Sequence, residues 1–115
     1  MNKGLTQSEY YAHRWLIKGG LTSNRILVKY PDFMDARTSQ FYEVKLITTS
    51  IFKQKVVVFH PGQIEEFSKI DPLIIIMTPK QSLPISVIPM SELLKNHLSR
   101  KVGENVYINF DMEEE

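Results

Sequence analysis

The sequence predicts an α/β fold in which helices flank a mixed β-sheet, and three observations support this. A capped amphipathic segment near the N-terminus indicates a helix. Three β-rich segments follow it, with links too short for crossovers, which is typical of an antiparallel meander. A second helical segment then leads into an apolar strand, and such a crossover favours parallel pairing. The predicted order of the core elements is therefore αβββαβ.

The composition restricts the class of protein that these 115 residues can form. A hydrophobic content of 43% and a charged content of 23% are ordinary for a globular domain, and we expect a single one over residues 1–110. The absence of cysteine excludes disulfides and thiolate zinc sites. No apolar segment is long enough for a secretory signal or a bilayer span, so we expect no membrane association. The expected location is cytoplasmic, inside a host cell if the source is a virus.

The charge is distributed unevenly along the chain. The net charge is only +1, but four of the 13 acidic residues lie in the segment 111–115. Residues 1–110 therefore carry 14 basic and 9 acidic side chains. We expect the acidic segment to be a disordered tail, and the basic excess of the remainder permits contact with phosphate.

The first helix is predicted from Thr6 to Lys18. Thr6-Gln7-Ser8-Glu9 has the pattern of a capping box, and Gly19-Gly20 is a typical helix end. The helical repeat also places Glu9 on one face with Ala12 and Leu16. Glu9 can therefore be a helix cap or a residue directed at a site, and the sequence favours neither.

The next three segments are predicted strands. Arg25 to Tyr30 is rich in β-formers and ends at Pro31, and Met34 to Gln40 has the polar character of a turn. Phe41 to Ile47 alternates between apolar and polar residues, and Lys55 to Phe59 has the apolar run of a buried strand. We expect these three strands to pair as the antiparallel meander.

The second half of the chain continues the alternation of helices and strands. Pro61-Gly62 is expected to open a helix, and the strands that follow are marked by β-branched residues. The predicted elements are a helix from Gln63 to Lys69, a parallel strand from Leu73 to Thr78, a strand from Pro84 to Ile88, a short helix from Ser91 to Lys95 and a last edge strand from Val106 to Phe110.

Three charged residues form the candidate site. Glu43 and Lys45 are two positions apart in a strand, so both side chains lie on one face of the sheet. Ten residues separate Asp32 from Glu43, and a hairpin would bring the two carboxylates together. Converging carboxylates repel each other unless a cation lies between them. A Glu-x-Lys triplet alone is common, and a solvated charged hairpin is the alternative interpretation.

The predicted ligands are hard oxygen atoms, which favour Mg²⁺, with Mn²⁺ able to substitute. The backbone carbonyl of Val44 could add a further ligand. Such an ion activates water as a nucleophile and neutralises charge on phosphate oxygens, and Lys45 could stabilise the transition state electrostatically. Asp35 could replace Asp32 as a ligand, although its position in a turn favours a structural role.

Pro31-Asp32, ten intervening residues and Glu43-Val44-Lys45 resemble the signature of the PD-(D/E)XK nuclease superfamily. The element order also resembles the restriction-endonuclease-like αβββαβ core of that superfamily. The resemblance implies a magnesium-dependent endodeoxyribonuclease. It implies that Asp32 and Glu43 bind the metal and that Lys45 is catalytic.

Within the superfamily, the chain is most similar to the archaeal Holliday-junction resolvases. The similarity lies in Lys3-Gly4 before Glu9, in Lys55 to Val58 leading to Gln63, and in Ile88 to Leu93. It implies that Glu9 is a metal ligand and that the substrate is a four-way DNA junction in recombination and repair, whose two symmetric cuts require a homodimer. Gln63, with Phe67 four residues on, resembles a glutamine motif of several branches of the superfamily, which implies an accessory role. Two features depart from those resolvases, which usually have a longer basic loop between residues 20 and 31 and a glycine in the hairpin turn.

Basic side chains outside the triad are candidates for phosphate contact. Alternative functions are another nuclease of the superfamily acting on duplex, nicked or flapped DNA, and a non-catalytic DNA-binding relative. The three histidines are scattered and are expected to be structural, while Tyr10, Tyr11 and Trp15 are expected to pack the first helix on the sheet. The candidate DNA-binding residues are Lys3, Arg25, Lys29, Lys53 and Lys55, with Arg14 as an addition.

Overall fold

A computed structural model describes residues 6–18, 23–25, 32–35, 37–49, 54–79 and 81–110 of the chain. Within these ranges, no helix has both the length and the apolar character that crossing a bilayer requires. The helices are α1 (Gln7–Lys18), α2 (Gln63–Ser68) and α3 (Met90–Asn96). The strands are β1 (Ser23–Arg25), β2 (Phe33–Asp35), β3 (Phe41–Leu46), β4 (Thr48–Thr49), β5 (Lys55–Phe59), β6 (Leu73–Met77), β7 (Ser86–Pro89), β8 (Ser99–Val102) and β9 (Asn105–Asn109).

The first sheet is mixed and has the strand order β1-β2-β3-β6-β7. Strands β3 and β6 pair in parallel, from Tyr42 opposite Leu73 to Leu46 opposite Met77. The neighbouring pairs on either side are antiparallel. The predicted parallel strand after a helical crossover is therefore confirmed, and so is the α/β class with a mixed sheet and flanking helices.

The second sheet is antiparallel, in the order β4-β5-β9-β8, and it corrects the predicted meander. The predicted pairing of Lys55–Phe59 with the strand from Phe41 to Ile47 is wrong. One edge of β3 is taken by β2 and the other by β6, so β5 has no free edge of β3 to join. It pairs with β9 instead, from Val56 opposite Asn109 to Phe59 opposite Val106.

Strand β9 also differs from its prediction, because it is not an edge strand of its sheet. It lies between β5 and β8, a strand that the sequence did not predict. The turn of the β8–β9 hairpin contains Gly103 with φ 62°, a left-handed conformation that glycine adopts without steric cost. Glycine at this position was the one local signal of the missed hairpin.

Two apolar layers hold these elements together. On one face of the first sheet, Ala12 and Leu16 of α1 pack against a core that includes Phe33, Val44 and Ile75. The opposite face is covered by the second sheet together with α2 and α3. Its core comprises Ile47, Val57, Phe59, Phe67, Ile74, Ile76, Met90, Leu93, Ile108 and Phe110. The first sheet is therefore the middle layer, with an apolar core on each of its faces.

The β2–β3 hairpin sets the register on which the candidate site depends. Phe33 pairs with Tyr42 and Met34 with Phe41, so Met34 and Asp35 belong to a strand and not to the predicted turn. The turn itself contains Ser39 with φ 63°, a residue in the left-handed conformation where the sequence lacks glycine. Two backbone hydrogen bonds between Asp35 and residues 39 and 40 close it.

Candidate active site

The alternation of β3 places Glu43 and Lys45 on the face that meets the second sheet. Val44 points the other way, into the α1 core. Glu43 and Lys45 lie opposite Ile74 and Ile76 of the neighbouring strand, and their exposed fractions are only 5% and 7%. Two charged side chains in an apolar layer are costly unless they have partners. Their burial excludes the alternative of a solvated surface pair.

Asp32 is brought to this pair by the hairpin. It directly precedes β2, and its Oδ2 accepts a hydrogen bond of 2.9 Å from the Val44 N–H. The carboxylate of Asp32 thus takes the place of a strand carbonyl at the point where the pairing of β2 with β3 ends. The predicted convergence of Asp32 with Glu43 and Lys45 is therefore present in the fold.

The ammonium group of Lys45 is fixed by four contacts. Its Nζ donates to the Val58 carbonyl at 2.9 Å and to Gln63 Oε1 at 2.6 Å. It lies 3.7 Å from Glu43 Oε2 and 4.6 Å from the centre of the Phe59 ring. Because these contacts come from β3, β5 and α2, the amine is held in a defined position beside the carboxylate.

Gln63 belongs to the site, although sequence reasoning gave it only an accessory place. It is 3% exposed, and its Oε1 accepts from both the Lys45 ammonium and the His60 N–H, the latter at 2.8 Å. Helix α2 begins at Gln63. The preceding residue, Gly62, has a φ of 84°, a left-handed conformation that glycine adopts without steric cost. The turn before α2 therefore directs the Gln63 oxygen at Lys45.

Val58, Phe59 and His60 were missed as contributors to the site. They contact Lys45 or Gln63 through a carbonyl, a ring and a backbone N–H, respectively. Nothing in the type of these residues indicates such roles, because two of the three contacts use backbone atoms. Only the packing of the second sheet against the first reveals them.

The electrostatic environment disfavours the simultaneous ionisation of Asp32 and Glu43. Burial raises the pKa of Asp32, its hydrogen bond from Val44 opposes this, and the charge of Glu9 raises it further. Burial also raises the pKa of Glu43, the nearby Asp32 charge adds to the rise, and Lys45 opposes it. Burial lowers the pKa of Lys45, against the attraction of both carboxylates. An additional positive charge at Asp32 and Glu43 would relieve this repulsion.

The donor atoms present fit a magnesium-type cation. Glu43 Oε1 is buried and has no hydrogen-bond partner in the described parts of the chain, so a ligand atom is available. The N–H and C=O of a strand residue point to the same side, so the Val44 carbonyl faces the Asp32 side of β3. Mg²⁺ commonly binds one or two carboxylates and completes its shell with water and substrate phosphate. The described residues contain no group of three or more His, Asp or Glu side chains suited to holding a metal ion.

Glu9 lies outside this pair and serves as the predicted cap. Its Oε1 accepts from the Thr6 N–H at 3.0 Å, and its own N–H donates to Thr6 Oγ1 at 3.2 Å. The capping box is therefore formed. Because the charge of Glu9 still raises the pKa of Asp32, the two carboxylates interact through space. A direct ligand role for Glu9 stays a prediction.

Asp35 has the structural role that its position suggested. Its Oδ1 accepts a 2.9 Å hydrogen bond from the Arg37 N–H, which is the geometry of an Asx turn. The Asp35 side chain lies on β2 and is 1% exposed. Burial is the main cause that raises the pKa of Tyr42, and the charge of Asp35 is the second. Asp35 therefore holds the hairpin turn through Oδ1. Its Oδ2 is buried and has no hydrogen-bond partner among the described residues, so the alternative role of Asp35 as a ligand stays a prediction.

The candidate DNA-binding residues are only partly described. Lys55 is exposed at the start of β5, in the second sheet. Arg25 lies on β1 opposite Phe33, and only its backbone is described. Lys3, Lys29 and Lys53 lie outside the described residues, as does the predicted acidic tail 111–115.

The histidines do not converge on the site. The ring of His13 stacks on Phe33 at 5.0 Å between centres, and that of His97 stacks on Phe110 at 4.7 Å. His60 is exposed beside α2, and it is its backbone that contacts Gln63. The side chains of the three are thus placed separately, as expected.

Replacing Gln63 by alanine is expected to lower the free energy of unfolding by about 1–3 kcal/mol, since it leaves the Lys45 ammonium and the His60 N–H without their common acceptor. Urea denaturation measures the change. Gln63→Glu keeps an acceptor oxygen and should recover most of the loss. Glu65→Gln, an exposed change on the same helix, is the control. Equal stability of Gln63→Ala and wild type would show that the oxygen holds nothing in place.

Comparisons of this chain with family models, with curated proteins and with solved structures found no match.

Proposed function

We propose that the protein is a magnesium-dependent endonuclease that hydrolyses phosphodiester bonds in DNA. One observation carries the proposal: Asp32 and Glu43 meet in a buried environment that raises the pKa of both, with the Lys45 amine 3.7 Å from Glu43. Strongly perturbed ionisable groups beside a specific charge partner are typical of catalytic sites. The arrangement also accords with the proposed restriction-endonuclease-like core, in which these residues would form the PD-(D/E)XK motif.

Each residue has a role that follows from its environment. Asp32, Glu43 and the Val44 carbonyl would hold the cation, which when bound would supply Lewis acidity to water and to the phosphate. Lys45 would orient the nucleophile and stabilise negative charge that develops on the phosphate oxygens. Gln63 and the Val58 carbonyl would keep the amine directed at that position, so they act as positioning groups.

The proposed substrate is branched DNA, with a four-way junction as the form suggested by the sequence resemblance. Two symmetric cuts in a junction require two sites related by a two-fold axis, so a homodimer is part of the proposal. The excess of basic residues outside the segment 111–115 supports contact with phosphates. Lys55 and Arg14 are the exposed described members of the predicted DNA-binding set.

The test is a cleavage assay on labelled four-way junction, flap and linear duplex DNA, with Mg²⁺ or with EDTA. We expect Mg²⁺-dependent cutting by the wild type. Asp32→Asn should lower the rate by at least about 10³-fold, because several kcal/mol of Lewis-acid stabilisation depend on the cation. The Kd of this variant for DNA in Ca²⁺ should change less than about threefold, since the substitution only replaces one carboxylate oxygen by an amide nitrogen.

Cleavage by Asp32→Asn at the wild-type rate would refute the assignment of the metal site. Cleavage that prefers linear, nicked or flapped duplex over the junction would keep the nuclease and replace its substrate. Glu92→Gln, an exposed acid-to-amide change in α3, is the matched control and should cut like the wild type.

A non-catalytic DNA-binding relative is the second candidate. It is favoured by the lack of a third metal-ligating side chain grouped with Asp32 and Glu43 among the described residues. Calorimetric titration with Mg²⁺ and Mn²⁺ distinguishes the two. Uptake of neither ion by a chain that binds DNA would support the second candidate.

A further inference from the structure

A groove between α1 and the segment after β6 combines aromatic and basic side chains. Its volume is about 230 Å³. Pockets that enclose drug-sized ligands measure about 300–1,000 Å³, so this groove fits a single flat ring better than a complete cofactor. The lining residues are Tyr11, Arg14, Trp15, Lys18, Ser82 and Leu83.

The aromatic part of the groove is formed by Tyr11 and Trp15. They are four positions apart on α1 and therefore adjacent on its surface. Both pack on the core around Ala12 and Leu16, yet both stay half-buried, so part of each ring is open to the groove. Any of the nucleobases can stack on such rings, and each stacked base contributes about 1–3 kcal/mol to the binding free energy.

The basic part is formed by Arg14 and Lys18, which are also four positions apart and are both exposed. Arg14 Nη1 donates to the Tyr10 hydroxyl at 3.1 Å, and its guanidinium carbon lies 5.7 Å from the centre of the Tyr10 ring. Both contacts lie on the exposed surface of α1, so the guanidinium is accessible to a ligand. None of the described residues that line the groove is acidic, so its charge is complementary to phosphate.

The groove is separate from the candidate active site. Trp15 follows Glu9 by six residues, which is about 9 Å along the helix and about a third of a turn apart around its axis. The charge of Glu9 acts on Asp32, whereas the groove lies between α1 and the segment after β6. None of the described residues that line the groove belongs to the candidate active site.

We propose that this groove binds an unpaired segment of the DNA substrate, with a base stacked on Trp15 and Tyr11 and phosphates on Arg14 and Lys18. The proposal rests on the proposed function, since it takes DNA as the ligand, and it specifies DNA that has a single-stranded portion.

Trp15 is the only tryptophan of the chain, so its fluorescence reports on the groove directly. The probe is oligothymidylate of about 12 nucleotides, within the range of known single-strand site sizes, titrated in EDTA into the intact protein. We expect saturable quenching, and weaker quenching by a duplex of equal length. Lys18→Gln should raise Kd by about threefold to tenfold and reduce the salt slope by about 0.7, the value of one released counterion.

Lys95→Gln removes the same charge from an exposed position on α3 and should leave Kd unchanged within error. Arg14→Gln should act in the same direction as Lys18→Gln. Both groove variants exchange exposed side chains, so the midpoint of thermal unfolding should stay within about 2 °C of the wild type.

Several results would overturn the proposal. They are an absence of quenching, equal quenching by duplex, or equal effects of Lys18→Gln and Lys95→Gln. A fluorescence change that follows protein concentration without DNA would mean that a second copy of the chain covers the groove, which also overturns it. The titration needs no cleavage, so the two proposals can fail separately. Quenching without Mg²⁺-dependent cutting would refute only the proposed nuclease activity. Cutting without quenching would refute only the proposed binding of DNA in the groove.

Discussion

Lys45→Met is expected to lower the rate constant of DNA cleavage by about 10²–10³-fold, as is typical for the loss of one charge-stabilising donor. Methionine keeps the length of the side chain and its packing on Phe59 while removing the ammonium group. Because Lys45 acts mainly on charge that develops in the transition state, the Kd for DNA should change less than about threefold. Single-turnover rates at saturating protein and binding in Ca²⁺ measure the two quantities separately.

Lys45→Arg provides a sharper form of the same experiment. The guanidinium keeps the charge but is planar and larger, and the space between the Val58 carbonyl and the Gln63 oxygen is matched to an ammonium with 2.9 Å and 2.6 Å hydrogen bonds. We expect this variant also to lose at least about tenfold in rate. Circular dichroism in Mg²⁺ must show that both variants are folded. A folded Lys45→Met that cuts within tenfold of the wild-type rate would contradict the role of Lys45.

Metal-free protein is expected to become less stable between about pH 5 and pH 8, and saturating Mg²⁺ is expected to reverse the loss. The pKa values of Asp32 and Glu43 are raised in the folded chain, so it retains protons that the unfolded chain releases above about pH 4. The stabilisation that comes from these retained protons is fully present below about pH 4. It is lost as the pH rises through the raised pKa values of the two carboxyl groups. We expect the unfolding midpoint to fall by at least about 5 °C over the interval.

A cation held by the two carboxylates replaces those protons, so its stabilising effect should grow with pH. The control is the double variant Asp32→Asn/Glu43→Gln, which removes both carboxylate charges. Its unfolding midpoint should not fall over the same interval and should not respond to Mg²⁺. The lowered pKa of Lys45 acts in the opposite sense, and because both carboxylates raise that pKa, their removal lowers it further, so any change that remains in this variant should be a rise of stability with pH.

Differential scanning fluorimetry at several pH values, with Mg²⁺ or with EDTA, makes these measurements directly. An unfolding midpoint of the wild type that is the same with and without Mg²⁺ at about pH 8 would exclude the metal site as proposed. A rise of stability with pH in EDTA would show that the carboxylates are not in the repulsive environment that their burial implies.

Local features of the chain were predictable from the sequence because their causes lie within a few residues of each other. The Thr6 and Glu9 pattern located the start of α1, since the capping hydrogen bonds span only three residues. The two-residue period of a strand placed Glu43 and Lys45 on one face. A hairpin also brought Asp32 to the same place as predicted, although its first strand is Phe33–Asp35 and not the predicted strand that ends before Pro31.

Other features depend on which strand edges are free, and only the tertiary structure decided them. Lys55–Phe59 has the composition of a buried strand in either sheet, but β2 and β6 already occupied both edges of β3, so it joined β9. That choice placed the Val58 carbonyl, the Phe59 ring and Gln63 around the Lys45 amine. Strand propensity describes a residue's fit to a pleated surface and does not specify its partner. The chain's own pattern thus determined which charged groups meet, whereas packing between distant segments determined how they are held.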